Sequence, residues 1–262
     1  MKRRSFLQKS AVVAGAATIG PSAAFAASVP ANFDKEMYEL RIYQLTGSGA
    51  KGALVNYLTG AVAPYLKSKG GKVGIFTEYG MTEPPKLYVL LAYPNPEVCY
   101  TCVSDMENDT TYNASAANYF KLPLPCDKPL FTRYETLLLS AFDGIPKLRM
   151  PDPARKLFEL RIYESYNEDA GRRKILMFNK EELPLFDKVG LPSLLFGKIL
   201  AGPYMPALAY MLSFRDMAHR EEIWAKFRVH PEWLTMRDKP EYANTVSTVN
   251  KIFLVPEEGS QI

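Results

Sequence analysis

The sequence predicts an α+β protein made of two tandem βαββαβ units whose sheets pack against each other as one pseudo-twofold barrel. Three observations carry this. Tyr38-Glu39-Leu40-Arg41-Ile42-Tyr43 recurs 120 residues later as Phe158-Glu159-Leu160-Arg161-Ile162-Tyr163, five residues identical in a row. Pro64 and Pro184 keep the same 120-residue spacing, each inside a helical pattern. The strand-type and helix-type patterns also follow in the same order after each motif.

In the first copy the motif itself alternates as a strand over 38–44. Ala50, Leu54, Tyr57, Leu58, Ala61 and Tyr65 then recur at helical spacing, and Gly70-Gly71 stops that helix. Val73 to Tyr79 and Leu87 to Tyr93 read as two strands around a turn with Gly80 and Pro84-Pro85. A helical region from about Glu97 to Phe120 follows, then a Pro-rich approach and a strand from Phe131 to Leu139. This is the ferredoxin-like order.

The second copy repeats it. A strand over 157–164 leads to a helix over about 168–189, with Ile175, Phe178, Leu185, Phe186 and Val189 on one face. Strands near 192–200 and 206–214 flank the Gly202-Pro203 turn. A helical region from about Asp216 to Arg228, further helix near Pro240 and a strand from about Thr245 to Val255 complete the unit. The expected organisation is a leader over 1–26, a first unit over 37–141, a linker over 142–156 and a second unit over 157–256. The linker assignment rests on its Pro and Gly content.

A four-stranded sheet with helices on one face needs a cover on the other, and two units in one chain can cover each other. On each motif strand Glu, Arg and Tyr share one face, and Tyr or Phe, Leu and Ile share the opposite one. If Leu and Ile face the helices, then Glu39, Arg41, Tyr43, Glu159, Arg161 and Tyr163 face the space between the sheets. A polar barrel interior is the expectation, with each Glu paired to an Arg because an unpaired buried charge costs several kcal/mol. Glu78, Tyr88 and Arg133 are further candidates for this lining.

The chain carries 32 Lys and Arg against 28 Asp and Glu, a net charge of +4. Lys2, Arg3, Arg4 and Lys9 lie in the first 26 residues, which hold no acid, so the body is electroneutral. That leaves no basic excess to bind nucleic acid or an anionic membrane. The leader joins Arg3-Arg4-Ser5-Phe6-Leu7 to a mildly apolar run from Ala11 to Ile19 and to Ala24-Phe25-Ala26. It resembles a twin-arginine export signal cleaved after Ala26, which places the mature protein in the periplasm or outside the cell, exported after folding. As an anchor the run is too short, and no stretch of the body approaches a membrane span.

Chemistry-bearing motifs are few. Cys99-x-x-Cys102 reads as a redox pair, half a metal site or a buried helix face, and a disulfide from Cys126 to one of the pair is an alternative. Val103 after the pair excludes a haem-attachment motif. The two histidines, His219 and His230, do not make a His-rich zinc cluster, and no Gly-rich phosphate loop is present. No metal or cofactor is called for. Trp233 reads as a core anchor. The Glu and Arg of the motif strands either fix the register of the sheets or hold a ligand. In the second case two Arg would grip an anion, and the Tyr would stack or hydrogen-bond. Proton transfer by a Glu or Tyr is the simplest reaction these residues could support.

The paired motif strands, Val73-Gly74-Ile75-Phe76, Ala209-Tyr210-Met211-Leu212-Ser213-Phe214-Arg215-Asp216 and His230-Pro231-Glu232-Trp233 together resemble the NIPSNAP family over nearly all of 37–255. The first copy departs from it: Tyr112-Asn113-Ala114-Ser115 stands where a Pro-Glu-Trp would fall, and Cys99-Tyr100-Thr101-Cys102 reads as an insertion. The resemblance implies a ferredoxin-like dimeric α/β barrel of poorly defined activity. The expected function is an exported barrel protein binding a small organic ligand or a protein partner, with homo-oligomerisation open. Two alternatives stand beside it: an enzyme of the barrel superfamily, either a cofactor-independent oxygenase or isomerase or a haem-binding member, and a structural interaction module.

Overall fold

The computed structural model describes residues 34–80, 84–122 and 129–262. The leader and Cys126 lie outside these, so the export signal and a disulfide to Cys126 are not described.

Among the described residues eight strands form a closed barrel: β1 (Met37–Leu45), β2 (Lys72–Glu78), β3 (Lys86–Tyr93), β4 (Phe131–Ala141), β5 (Leu157–Glu164), β6 (Ser193–Ala201), β7 (Ala207–Phe214) and β8 (Thr248–Pro256). Their order around the wall is β1-β3-β2-β8-β5-β7-β6-β4, and all neighbours are antiparallel. Each unit thus has its fourth strand beside its first, and the two sheets join through β2 with β8 and β4 with β6. The duplication is closed within one chain. The tail reinforces one seam: the Glu257 and Gln261 N–H groups donate to the Ile75 and Val73 carbonyls, and Ile262 is buried at the barrel end.

The helices are α1 (Ser48–Tyr57), α2 (Ala63–Ser68), α3 (Pro96–Asn108), α4 (Thr110–Phe120), α5 (Glu168–Met177), α6 (Leu183–Val189), α7 (Met217–Val229) and α8 (Pro231–Arg237). A π turn joins α1 to α2 at Leu58–Val62, and another joins α5 to α6 at Phe178–Glu182, again 120 residues apart. The cause is local: Pro64 and Pro184 sit at the start of the following helix, where a missing N–H and the ring obstruct a regular α turn. Gly70 and Gly190, also 120 apart, end the helices in the left-handed region at φ 82° and 75°, which only glycine adopts without strain. The stretch 142–156 is no loose connector: Phe142, Ile145 and Leu148 are buried, and Arg149 pairs with Asp187.

The barrel interior is apolar, which corrects the expectation of a polar one. One buried cluster draws residues from all eight strands and none from a helix. It includes Tyr38, Leu40, Ile42, Phe158, Leu160 and Ile162. Two further clusters lie between the sheets and the helices, and Tyr43 belongs to the first-unit one. Glu39, Arg41, Tyr43, Glu159, Arg161 and Tyr163 therefore face outward under the helices. The physical reason is space: the interior of an eight-stranded barrel is just wide enough for side chains to fill, and here apolar side chains from every strand fill it. Leu and Ile fill it without polar atoms to satisfy, whereas the helix layer can bring donors and acceptors to the charges.

Candidate functional site

Each motif strand places Glu and Arg two residues apart on one face, so they pair along the strand. In the second unit that pair is fully enclosed. Arg161 Nε donates to Glu159 Oε1 at 2.7 Å, and α7 supplies the other partners. Arg220 donates through Nε and Nη2 to the two carboxylate oxygens, both at 2.8 Å, and Trp224 Nε1 donates to Oε2 at 3.0 Å. Arg220 and Trp224 reach the same carboxylate because they are four residues apart on one helix face. Burial alone would raise the Glu159 pKa. The Arg220 hydrogen bonds, the charges of Arg161 and Arg220 and the Trp224 hydrogen bond outweigh it and hold the carboxyl below its ordinary range.

Arg161 is covered as well. Its guanidinium carbon lies 3.9 Å from the Trp224 ring centroid, and Nη1 donates to the Tyr163 hydroxyl at 3.1 Å and the Tyr210 hydroxyl at 3.4 Å. Beside it, Lys174 Nζ meets Glu182 Oε2 at 2.7 Å, both buried, with Nζ 4.3 Å from the Phe178 centroid. Lys174 and Glu182 are eight apart, a spacing a regular helix would rotate off one face. The π turn absorbs one residue and brings them into line.

The first unit keeps the strand pair and changes the cover. Arg41 donates through Nε and Nη2 to Glu39 at 2.6 and 3.0 Å, and the Tyr93 hydroxyl donates to Glu39 Oε2 at 2.8 Å. Both charged side chains are partly exposed, where Glu159 is fully buried. Over Arg41 lies a cleft of about 430 Å³ walled by Tyr57, Val103, Tyr112, Phe120 and Tyr134. That volume lies within the usual range of small-molecule sites. The Tyr57 and Tyr112 hydroxyls meet at 2.6 Å, Tyr57 stacks on Tyr119 at 4.0 Å, and the Arg41 guanidinium lies 5.7 Å from the Tyr134 centroid. Tyr57 is the last residue before the first π turn, which sets its direction into the cleft.

The six sequence candidates thus split into two groups, Glu39, Arg41 and Tyr43 under one helix layer and Glu159, Arg161 and Tyr163 under the other. The strand pattern alone does not reveal Tyr57, Tyr112, Tyr134, Lys174, Glu182, Tyr210, Arg220 or Trp224. The available signal was polar and aromatic residues at i, i+4 on helix faces that must pack. Of the three further candidates for the barrel lining, Tyr88 faces the interior as expected and Arg133 does not. Tyr88 lies on the barrel-interior face and donates to Glu78 at 2.5 Å, and Arg133 is exposed and donates to Gln44.

Cys99-x-x-Cys102 is no insertion, because α3 and α7 are both 13 residues long and Cys99 occupies the place of Arg220. The two cysteines are not bonded to each other. Burial, with Glu39 and Cys102 nearby, pushes the Cys99 thiol up to about 11, the reverse of a redox-active cysteine. His219 and His230 lie at helix starts, where Nδ1 accepts from the Arg215 and Glu232 N–H groups, away from the cleft. Trp233 is half-buried against Phe227.

The family model named NIPSNAP matches residues 158–261, the second unit and tail, which is less than half of the chain. No curated protein matches. Among solved structures, a "putative monooxygenase" from Lactobacillus acidophilus is 9% identical with a TM-score of 0.56, covering 85% of this chain and 94% of its own. A second "putative monooxygenase", from Fusobacterium nucleatum, is 8% identical with a TM-score of 0.55 over 86% and 93% of the two chains. An "anthrone oxidase-like protein" is 7% identical with a TM-score of 0.50 over 86% and 92%. At such identities the likeness is one of fold: a double-unit α/β barrel within a single chain.

Proposed function

We propose that the chain is a NIPSNAP-type barrel of two units whose first unit binds a small organic ligand in the cleft over Arg41, the second unit serving as its closed structural twin. The family match of the second unit and the 120-residue repeat that ties the first to it support the family reading. The observation that carries the binding reading is the difference in cover: Arg161 is sealed by Trp224, Tyr163 and Tyr210, whereas Arg41 borders a cleft walled by aromatic side chains. A thermal-shift screen of small organic molecules, followed by titration of the hits, tests it. Arg41→Ala is expected to lose binding with the fold intact, and Arg161→Ala to lose stability. Unchanged binding in Arg41→Ala rejects the site.

A catalytic reading is favoured by the names of the barrel neighbours, monooxygenase and anthrone oxidase-like. It needs a base at the cleft. Burial and the Tyr112 hydrogen bond push the Tyr57 hydroxyl up, away from service as a base near neutral pH, and Glu39 is spent on Arg41 and Tyr93. Binding therefore fits these residues better. Oxygen uptake on adding anthrone to the purified protein would move the assignment to the enzyme reading.

The twin-arginine-type leader supports export of the folded protein. Cell fractionation should find the mature chain outside the cytoplasm, and the pair Arg3→Lys and Arg4→Lys should retain it inside.

A further inference from the structure

The two units differ at two helix positions that decide what lies over each arginine. α3 and α7 are capped alike: Asn95 and Asp216 accept from the N–H groups of Val98 and His219 through their side chains. Counted from these caps, the fourth residue is Cys99 in the first unit and Arg220 in the second, and the eighth is Val103 and Trp224. The eighth position borders the strand arginine's surroundings in both: Trp224 covers Arg161 at 3.9 Å, and exposed Val103 lines the cleft that Arg41 also lines. What the protein fills with its own indole in one unit is left to the cleft in the other. At Glu39, the Tyr93 hydroxyl occupies a carboxylate oxygen that α7 side chains occupy on Glu159.

Resting on the reading of this cleft as the ligand site, we infer that its ligand is a planar aromatic molecule of two or three fused rings bearing a phenol-like or quinone-like oxygen. The shape follows from the walls. A flat ring can take the place of the Trp224 indole against the guanidinium while meeting Tyr57, Tyr112, Phe120 and Tyr134, whose faces and edges favour another aromatic ring over a saturated one. The oxygen follows from the second unit, where Arg161 Nη1 donates to the phenolic oxygens of Tyr163 and Tyr210; the first unit keeps Tyr43 beside Arg41 in the place of Tyr163, so it is the second oxygen that is missing. Tyr210 is the β7 residue opposite Arg161, and the β3 residue opposite Arg41 is Val89, which has no such oxygen to offer. A neutral molecule fits better than an anion, because Glu39 already balances Arg41 through two hydrogen bonds and Glu107 borders the cleft. The Tyr57 and Tyr112 hydroxyls, joined at 2.6 Å, are a second polar contact within the same walls.

Calorimetric titration of the full-length protein at pH 7 with 2-naphthol and with its saturated counterpart, decahydro-2-naphthol, separates the ligand class from the site. The expected result is one 2-naphthol per chain, bound at least tenfold tighter than the saturated alcohol. Val103→Trp, which rebuilds the second unit's cover at an exposed position, should weaken 2-naphthol at least tenfold. Equal affinity for the two alcohols, or no binding of 2-naphthol, overturns the aromatic class. If a saturated molecule then binds and is lost in Arg41→Ala, the cleft itself still stands as the site. Binding of 2-naphthol that survives both Val103→Trp and Arg41→Ala overturns class and site together. Should Val103→Trp not fold, Val103→Phe together with the comparison of the two alcohols on the unaltered protein decides.

Discussion

Trp224 lies over the guanidinium of Arg161 at 3.9 Å while donating its indole N–H to Glu159, so one side chain seals both members of the buried ion pair. A buried pair of this kind is costly to break, because removing one partner strands the other in a low-dielectric site. Glu159→Gln, which strands Arg161, should therefore cost about 3 kcal/mol in urea unfolding. The corresponding pair in the first unit is partly exposed, and Glu39→Gln should cost about 1 kcal/mol, since solvent screens what is lost. Equal costs in the two units would show that the difference in cover has no energetic content.

The Glu159 carboxyl sets a pH dependence of known sign. Its folded pKa lies below the ordinary glutamate value of 4.5, so its contribution is complete above that value and is lost as pH falls through the lower folded pKa. Glu159→Gln should lower stability at pH 7 and flatten the acid limb below about pH 4.5. Unfolding free energy measured against pH for both proteins checks this. An unchanged acid limb would mean another group controls it.

Lys174 and Glu182 form a second buried pair, and the first unit shows what the fold accepts in its place. The positions 120 residues earlier are Leu54 and Val62, both buried and apolar. Lys174→Leu or Glu182→Val alone should each cost about 3 kcal/mol, whereas the double variant should recover most of the loss. A double-mutant cycle on urea unfolding reads the coupling. Additive losses would contradict a pair interaction across the π turn.

Cys99 and Cys102 should be slow to react with thiol reagents. Burial raises both pKa values, that of Cys99 to about 11, so little thiolate exists at neutral pH. In a Cys126→Ser background, labelling by iodoacetamide should be slow at pH 7.5 and rise steadily towards pH 10. Fast labelling at neutral pH would restore a reactive role to the pair.

Much of the fold was legible in the chain because duplication repeats every constraint. The motif strands, the two prolines behind the π turns and the glycines closing α2 and α6 all recur at one spacing. Which face of β1 and β5 turns inward was not legible, since both faces are buried and alternation gives no direction. Leu40 and Ile42 could have packed on helices; the narrow barrel decided otherwise. The cleft was hidden for a related reason. It arises from what α3 lacks at Val103 relative to Trp224, and an absence shows only once the caps at Asn95 and Asp216 align the two helices.

The central claim is that the two halves use one frame differently, the first to hold a ligand over Arg41 and the second to fill the same place with Trp224. Crystals grown with 6-bromo-2-naphthol test it most directly, because bromine gives an anomalous signal. A peak in the cleft between Val103 and Arg41, with none over Arg161, is the predicted result. A peak over Arg161 or inside the barrel, with none near Arg41, would contradict it.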